Sequence, residues 1–164
     1  MTLLNRLLLH TPFTFRKSAS IPATGTDSFT LVKSDVKTKD TKLLDKLLED
    51  IYNENTSYWP NGLTKERFYG DDDLLYLINN QDKVPVGFAA RQVRGKPNRV
   101  SYYSVGILPE YRHKGLAKKA LKMLLSEPTI TKEHKYSVDK DNKGSLALYK
   151  ALVKLHPELQ LNVM

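Results

Sequence analysis

The chain has 164 residues, no cysteine and a formal net charge of +8, which suits a single domain and excludes disulfides, thiolate catalysis and cysteine-based metal sites. No apolar run approaches the roughly 20 residues that span a bilayer, and His10, His113, His134 and His156 lack metal-ligand spacing. The charge is lopsided, with 11 Lys/Arg against 12 Asp/Glu over residues 1–90 and 15 against 6 over residues 91–164, so the basic half would attract a polyanionic cofactor, an acidic protein or nucleic acid.

Residues 1–26 carry Arg6, Arg16 and Lys17, many Ser and Thr, and no acid. Two readings stand open for them. One is an organellar transit peptide; the other is an N-terminal extension that packs on the domain or stays mobile, with Pro12, Pro22 and Gly25 breaking any long helix. The extension is the expectation, with residues 27–164 as one domain in the cytoplasm.

Residues 28–33 alternate like a first strand. Thr41 is placed to cap a helix through Tyr52, with Leu43, Leu44, Leu47, Leu48 and Ile51 on one face. A loop over residues 53–62, rich in Asn, Ser and aromatics, precedes a short helix at residues 64–68. Residues 73–78 and 84–92 read as strands joined by Asn79-Asn80-Gln81-Asp82-Lys83, good hairpin chemistry. After a turn at Gly95 and Pro97 comes a strand over residues 99–108. A basic amphipathic helix then follows Gly115, with Leu116, Ala120, Leu121 and Leu124 inward and Lys118, Lys119 and Lys122 outward. A strand at residues 135–138, a helix at 145–155 and a last strand at 158–163 complete the chain. The order is β-α-α-β-β-β-α-β-α-β, an α/β arrangement around a mixed sheet.

The segment with the most chemistry is Arg112-His113-Lys114-Gly115-Leu116-Ala117, which joins a strand to a helix. A helix start presents unpaired N–H groups and the positive end of the dipole, which suits a phosphate. Gly115 lets backbone approach a ligand and Ala117 keeps the first turn slim. The same residues, read blandly, are loop-to-helix packing, and Lys114, Lys118, Lys119 and Lys122 a solvated face.

Three separated pieces are similar, in order and spacing, to a GNAT-type N-acetyltransferase over roughly residues 28–155. Val86-Gly87-Phe88 resembles the family's third-strand signature. Residues 104–125, with the Pro109-Glu110-Tyr111-Arg112 approach, resemble its acyl-CoA-binding strand, turn and helix. Val138, Asn142, Ser145 and Tyr149 resemble its second conserved block. The resemblance implies a mostly antiparallel mixed sheet flanked by helices, and acetyl-CoA as co-substrate with no metal. It also implies direct transfer of the acetyl group to a small-molecule or protein amine. Backbone N–H groups of Arg112, His113, Lys114, Gly115, Leu116 and Ala117 would hold the pyrophosphate. Main chain at Ile107 would pair with pantetheine and polarise the thioester, and Asn142 and Ser145 would line the pantetheine or 3′-phosphate side. Tyr149 would protonate the departing thiolate.

The chain departs from the family pattern in two places. The positions before Ile107 on its strand are Ser101, Tyr103 and Val105, none a good base. Glu110, the Asp71-Asp72-Asp73 run, and water ordered by Tyr103 and Ser101 stand as candidates. Only seven residues follow Pro157, so one terminal strand fits where the family has two. That leaves an edge for the N-terminal extension or a second subunit to cover. Acceptor choice falls to the 53–62 loop, the hairpin tips and the C-terminal segment; Tyr58, Trp59 and, just beyond, Phe68 either offer aromatic surface or seal the core. The competing function is a catalytically silent GNAT-like module that binds nucleic acid or a protein through the basic half.

Overall fold

The structure, a computed structural model, describes residues 18–21, 28–38, 40–54, 59 and 62–163. Seven strands lie in sequence order across one sheet. They are β1 (Ser18–Ile21), β2 (Phe29–Lys33), β3 (Leu74–Asn79), β4 (Pro85–Arg94), β5 (Val100–Ile107), β6 (Glu133–Val138) and β7 (Leu159–Val163). Strands β1 to β5 pair antiparallel, whereas β5 with β6 and β6 with β7 pair parallel. Parallel neighbours need a crossover, which α2 (Leu116–Ser126) and α3 (Lys143–Val153) supply. Helix α1 (Lys42–Glu54) and a four-residue 3₁₀ turn, Lys65–Phe68, separate β2 from β3.

Local chemistry accounts for the boundaries. The Thr41 carbonyl accepts from Asp45 N–H at 2.8 Å, and its hydroxyl donates to the Asp45 carboxylate at 3.1 Å, starting α1. Between β3 and β4 the Asn80 side-chain oxygen accepts from Asp82 N–H (2.9 Å) and Val84 N–H (3.0 Å), closing the hairpin. The helix expected at residues 64–68 is the 3₁₀ turn instead. Four residues hemmed by the Gly70-Asp71-Asp72 turn are too few to repay the nucleation of an α-helix.

Two cores follow from the alternation of the strands. On one face α1 buries Leu44, Leu47, Leu48 and Ile51 against Leu75, Phe88 and Ala90, with Trp59 and Phe68 closing the layer. On the other, α2 and α3 bury Leu116, Ala120, Leu121, Leu124 and Leu152 against Tyr76, Ala89, Tyr103, Ile107, Tyr136 and Leu159. Each such leucine contributes on the order of 2 kcal/mol when taken out of water.

A single strand follows α3 and pairs parallel with β6. Of the extension proposed, alongside a second subunit, to cover the edge beyond it, residues 1–17 and 22–27 lie outside the described residues. Its described part, β1, pairs with β2 at the opposite side of the sheet. No helix among the described residues is long and apolar enough to cross a membrane.

Candidate active site

Strands β5 and β6 share a register only from Val100↔Glu133 to Tyr103↔Tyr136, although β5 runs on to Ile107 and β6 to Val138. Beyond Tyr103 the two strands part, so residues 104–107 have no ladder partner on β6. Ser104 lies at that fork with its hydroxyl buried and unpartnered. The gap opens into a cleft of about 540 Å³ lined by Val105, Gly106 and Ile107, by the starts of α2 and α3, and by the end of α1. Gly106 is required here. A Cβ on it would fall 2.8 Å from Phe88 Cε1 and 3.1 Å from Ile51 Cγ2.

After β5 the chain makes a 3₁₀ turn, Pro109–Tyr111, and Tyr111 meets Phe29 edge-on at 6.2 Å. Arg112 Nε donates to the Ile107 carbonyl at 2.9 Å, tying the turn to the strand end. His113 (φ 64°) and Gly115 (φ 77°) are both left-handed, and such alternation turns successive N–H groups into an anion-binding concavity. Gly115 is also the N-cap of α2 and makes no side-chain capping bond, and the first turn of α2 carries no acid. The start of α3 faces the same cleft, with Asn142 as its N-cap accepting from Ser145 N–H at 2.9 Å and no acid in its first turn. Two positive helix ends and the cations Arg112 and Lys118 therefore border one cleft.

Of the residues expected to hold the cofactor, Ile107, Arg112, His113, Gly115, Leu116, Ala117, Asn142 and Ser145 all line the cleft. Lys114 belongs to the same turn but is not among the lining residues. The Ser145 hydroxyl lies 3.2 Å from the Tyr136 hydroxyl, and burial pushes the Tyr136 phenol up, an effect the Ser145 bond opposes. The Tyr149 hydroxyl donates to the Leu159 carbonyl at 3.2 Å, and Tyr149 is not among the lining residues.

The candidate bases lie elsewhere. Tyr103 is 2% exposed and its hydroxyl is hydrogen-bonded to His134 Nδ1 at 2.9 Å. Burial pushes the Tyr103 phenol up, and Arg91 pulls it back. Ser101 is bonded to Thr131. Glu110 is exposed in the 3₁₀ turn and outside the lining. Asp71, Asp72 and Asp73 are paired with Lys37, Arg99 and Arg94 respectively, and none lines the cleft.

Sequence reasoning did not single out Ile51, Glu54 or Leu148 as site residues, yet all line the cleft, as do Tyr111 and Lys118. Ile51 carried a signal as the last residue of the apolar stripe of α1, and Glu54 follows it by one turn on that face. Trp59 does both things expected of it, being 6% exposed in the α1 core while also lining the cleft. Phe68 is buried, and Tyr58 lies outside the described residues. No group of acids and histidines fit to hold a metal occurs among the described residues.

Residues 44–152 match the model of the acetyltransferase (GNAT) family. The chain belongs to that family. Solved structures agree at the level of the fold. An acetyltransferase of the GNAT family from Streptococcus pneumoniae is 18% identical, covers 74% of this chain and 82% of its own, and has a TM-score of 0.61. A protein from Acinetobacter baylyi ADP1 is 22% identical, with 78% and 79% covered and a TM-score of 0.60. The aminoglycoside 6′-N-acetyltransferase of Acinetobacter baumannii is 16% identical, with 76% and 88% covered and a TM-score of 0.50. No curated protein matches.

Proposed function

We propose that this chain is an acetyl-CoA-dependent N-acetyltransferase whose acceptor is an amine of a small molecule or a protein. The observation that carries the reading is the parting of β5 and β6 directly above the left-handed turn that starts α2. A parted strand offers amide groups at the spacing of an extended, amide-bearing ligand, and the turn offers N–H groups to its pyrophosphate. The open space over Gly115, where an added Cβ would meet nothing within 4 Å, fits such a ligand.

Acetyl-CoA, when bound, supplies a thioester-activated acetyl group. The protein's part is to place and polarise it. N–H groups of residues 112–117 hold the pyrophosphate, and Lys118 adds charge. Asn142 and Ser145 flank the pantetheine or 3′-phosphate side. Main chain at Ile107 aligns the pantetheine arm, and an N–H near it stabilises the oxyanion, a role typically worth about 3 kcal/mol.

The acceptor must arrive unprotonated. A lysine-type amine loses its proton at a cost of about 4.6 kcal/mol at pH 7 if the site gives no help. Ser101 and Tyr103 are committed to Thr131 and His134, so they do not serve as bases at the cleft. The enzyme works on the neutral fraction of its substrate. The test is calorimetry with acetyl-CoA, followed by thiol release with a panel of amines. Saturable binding and amine-dependent release are expected; absence of acetyl-CoA binding by folded protein overturns the reading.

A further inference from the structure

The cleft carries charge of two signs. Its α2–α3 side has two positive helix ends with Arg112 and Lys118, while the α1 side contributes Ile51, Trp59 and Glu54. Glu54 is the only carboxylate among the described residues that line the cleft. It is the last residue of α1, whose final turn has no basic residue. The negative dipole end of that helix therefore adds to the carboxylate instead of opposing it.

Its placement follows from Ile51. That side chain reaches β5 at Gly106, beside Ile107. Glu54, three residues on, stands on the same face roughly one helical turn, about 5 Å, farther along the axis. It is exposed at the mouth of the cleft, not at the strand where the thioester would be polarised. This position suits a nitrogen other than the reacting one. A carboxylate paired with the reacting ammonium would hold the proton that must leave. Paired with a second cation at the mouth, it anchors the acceptor and leaves the reacting ammonium free to lose its proton.

The geometry points to an acceptor with at least two amino groups, one acetylated at β5 and the other held by Glu54 and the C-terminal end of α1 against Trp59. The inference rests on the acetyltransferase reading and narrows its substrate class to short diamines and polycations. A monoamine of the same length lacks the second contact. An exposed pair of this kind is worth at most about fivefold in affinity.

The experiment uses full-length protein saturated with acetyl-CoA or, for binding alone, CoA. The probes are the α,ω-diamines from three to six carbons and the matching n-alkylamines, followed by calorimetry and thiol release in wild type and Glu54→Gln. Wild type should favour at least one diamine over its monoamine by up to about fivefold in Kd and KM. Glu54→Gln should erase that preference by raising KM for the diamine, with kcat and acetyl-CoA affinity unchanged. Equal handling of every diamine and monoamine, or a preference that survives Glu54→Gln, overturns the inference while leaving donor binding intact. Failure of wild type to bind acetyl-CoA overturns the acetyltransferase reading and this inference with it.

Discussion

The same two strands make both a closed end and an open end. From Val100 to Tyr103, β5 is laddered to β6, and side chains bolt that end shut: Ser101 to Thr131, Tyr103 to His134. The Arg91 guanidinium donates to the Glu127 and Pro128 carbonyls, and the Tyr76 hydroxyl to the Glu127 carboxylate, so the far end of α2 is pinned there too. From Ser104 onward the ladder stops, and the near end of α2 faces a cleft. Hydroxyls and the imidazole at the closed end are spent on one another, and the Arg91 guanidinium on backbone carbonyls. At the open end the backbone of residues 104–107 has no ladder partner on β6, and it stands beside the unpartnered Ser104 hydroxyl.

The sharpest way to break this contrast is to fill the open end. Gly115→Glu puts bulk and negative charge on the left-handed residue that starts α2, beside the proposed pyrophosphate position. Acetyl-CoA affinity should fall at least about 100-fold by calorimetry, a loss of roughly 3 kcal/mol. Undiminished affinity in a folded mutant would remove the turn from the site. Gly106→Val is next. Its methyl groups collide with Phe88 and Ile51, so a loss of about 1–3 kcal/mol in urea unfolding is expected, together with weaker acetyl-CoA binding.

How much of this was legible beforehand differs between the two ends. The turn at Arg112 to Ala117 could be read because its chemistry is local: one glycine, one helix start, one strand before it. The parting of the strands could not, since β6 lies 26 residues beyond β5 and nothing in either strand announces where a parallel ladder stops. Ser101 and Tyr103 looked like site residues because alternation puts them on the face of Ile107. Alternation does not say that Thr131 and His134 will claim their hydroxyls. Glu54 was hidden for a related reason. A terminal helical glutamate is usually solvated, and only the contact of Ile51 with Gly106 brings it to the cleft. The strand order was largely readable, but the edge taken by β1 depends on pairing across the whole sheet.

Smaller perturbations sharpen the contrast by acting at one end only. Tyr103→Phe strips His134 of its bond at the closed end and should cost about 1 kcal/mol in stability. Acetyl-CoA affinity and turnover should stay within twofold; a collapse of turnover in stable protein would return Tyr103 to the reaction. Tyr149→Phe should likewise leave turnover within about twofold, because its hydroxyl is held by Leu159 and a part-buried bond of this kind is worth only about 1 kcal/mol. Lost turnover with donor binding intact would instead show the hydroxyl swinging in to protonate the thiolate.

The smallest effect is a pH slope confined to the closed end. Burial pulls the His134 imidazole down from its ordinary value, Arg91 pulls the same way, and Glu158 opposes them. The folded protein therefore keeps this ring neutral at a pH where the unfolded chain, titrating near about 6.5, has already taken a proton. Stability from this group is complete above the unfolded value and drains away as pH falls through it toward the lower folded value. His134→Gln should thus lose less Tm than wild type between about pH 7.5 and pH 5. Acetyl-CoA affinity should follow the same pH course in both proteins, since His134 does not line the cleft. Equal Tm slopes would mean that the imidazole titrates alike folded and unfolded, and that the closed end is less sealed than its ladder and hydrogen bonds imply.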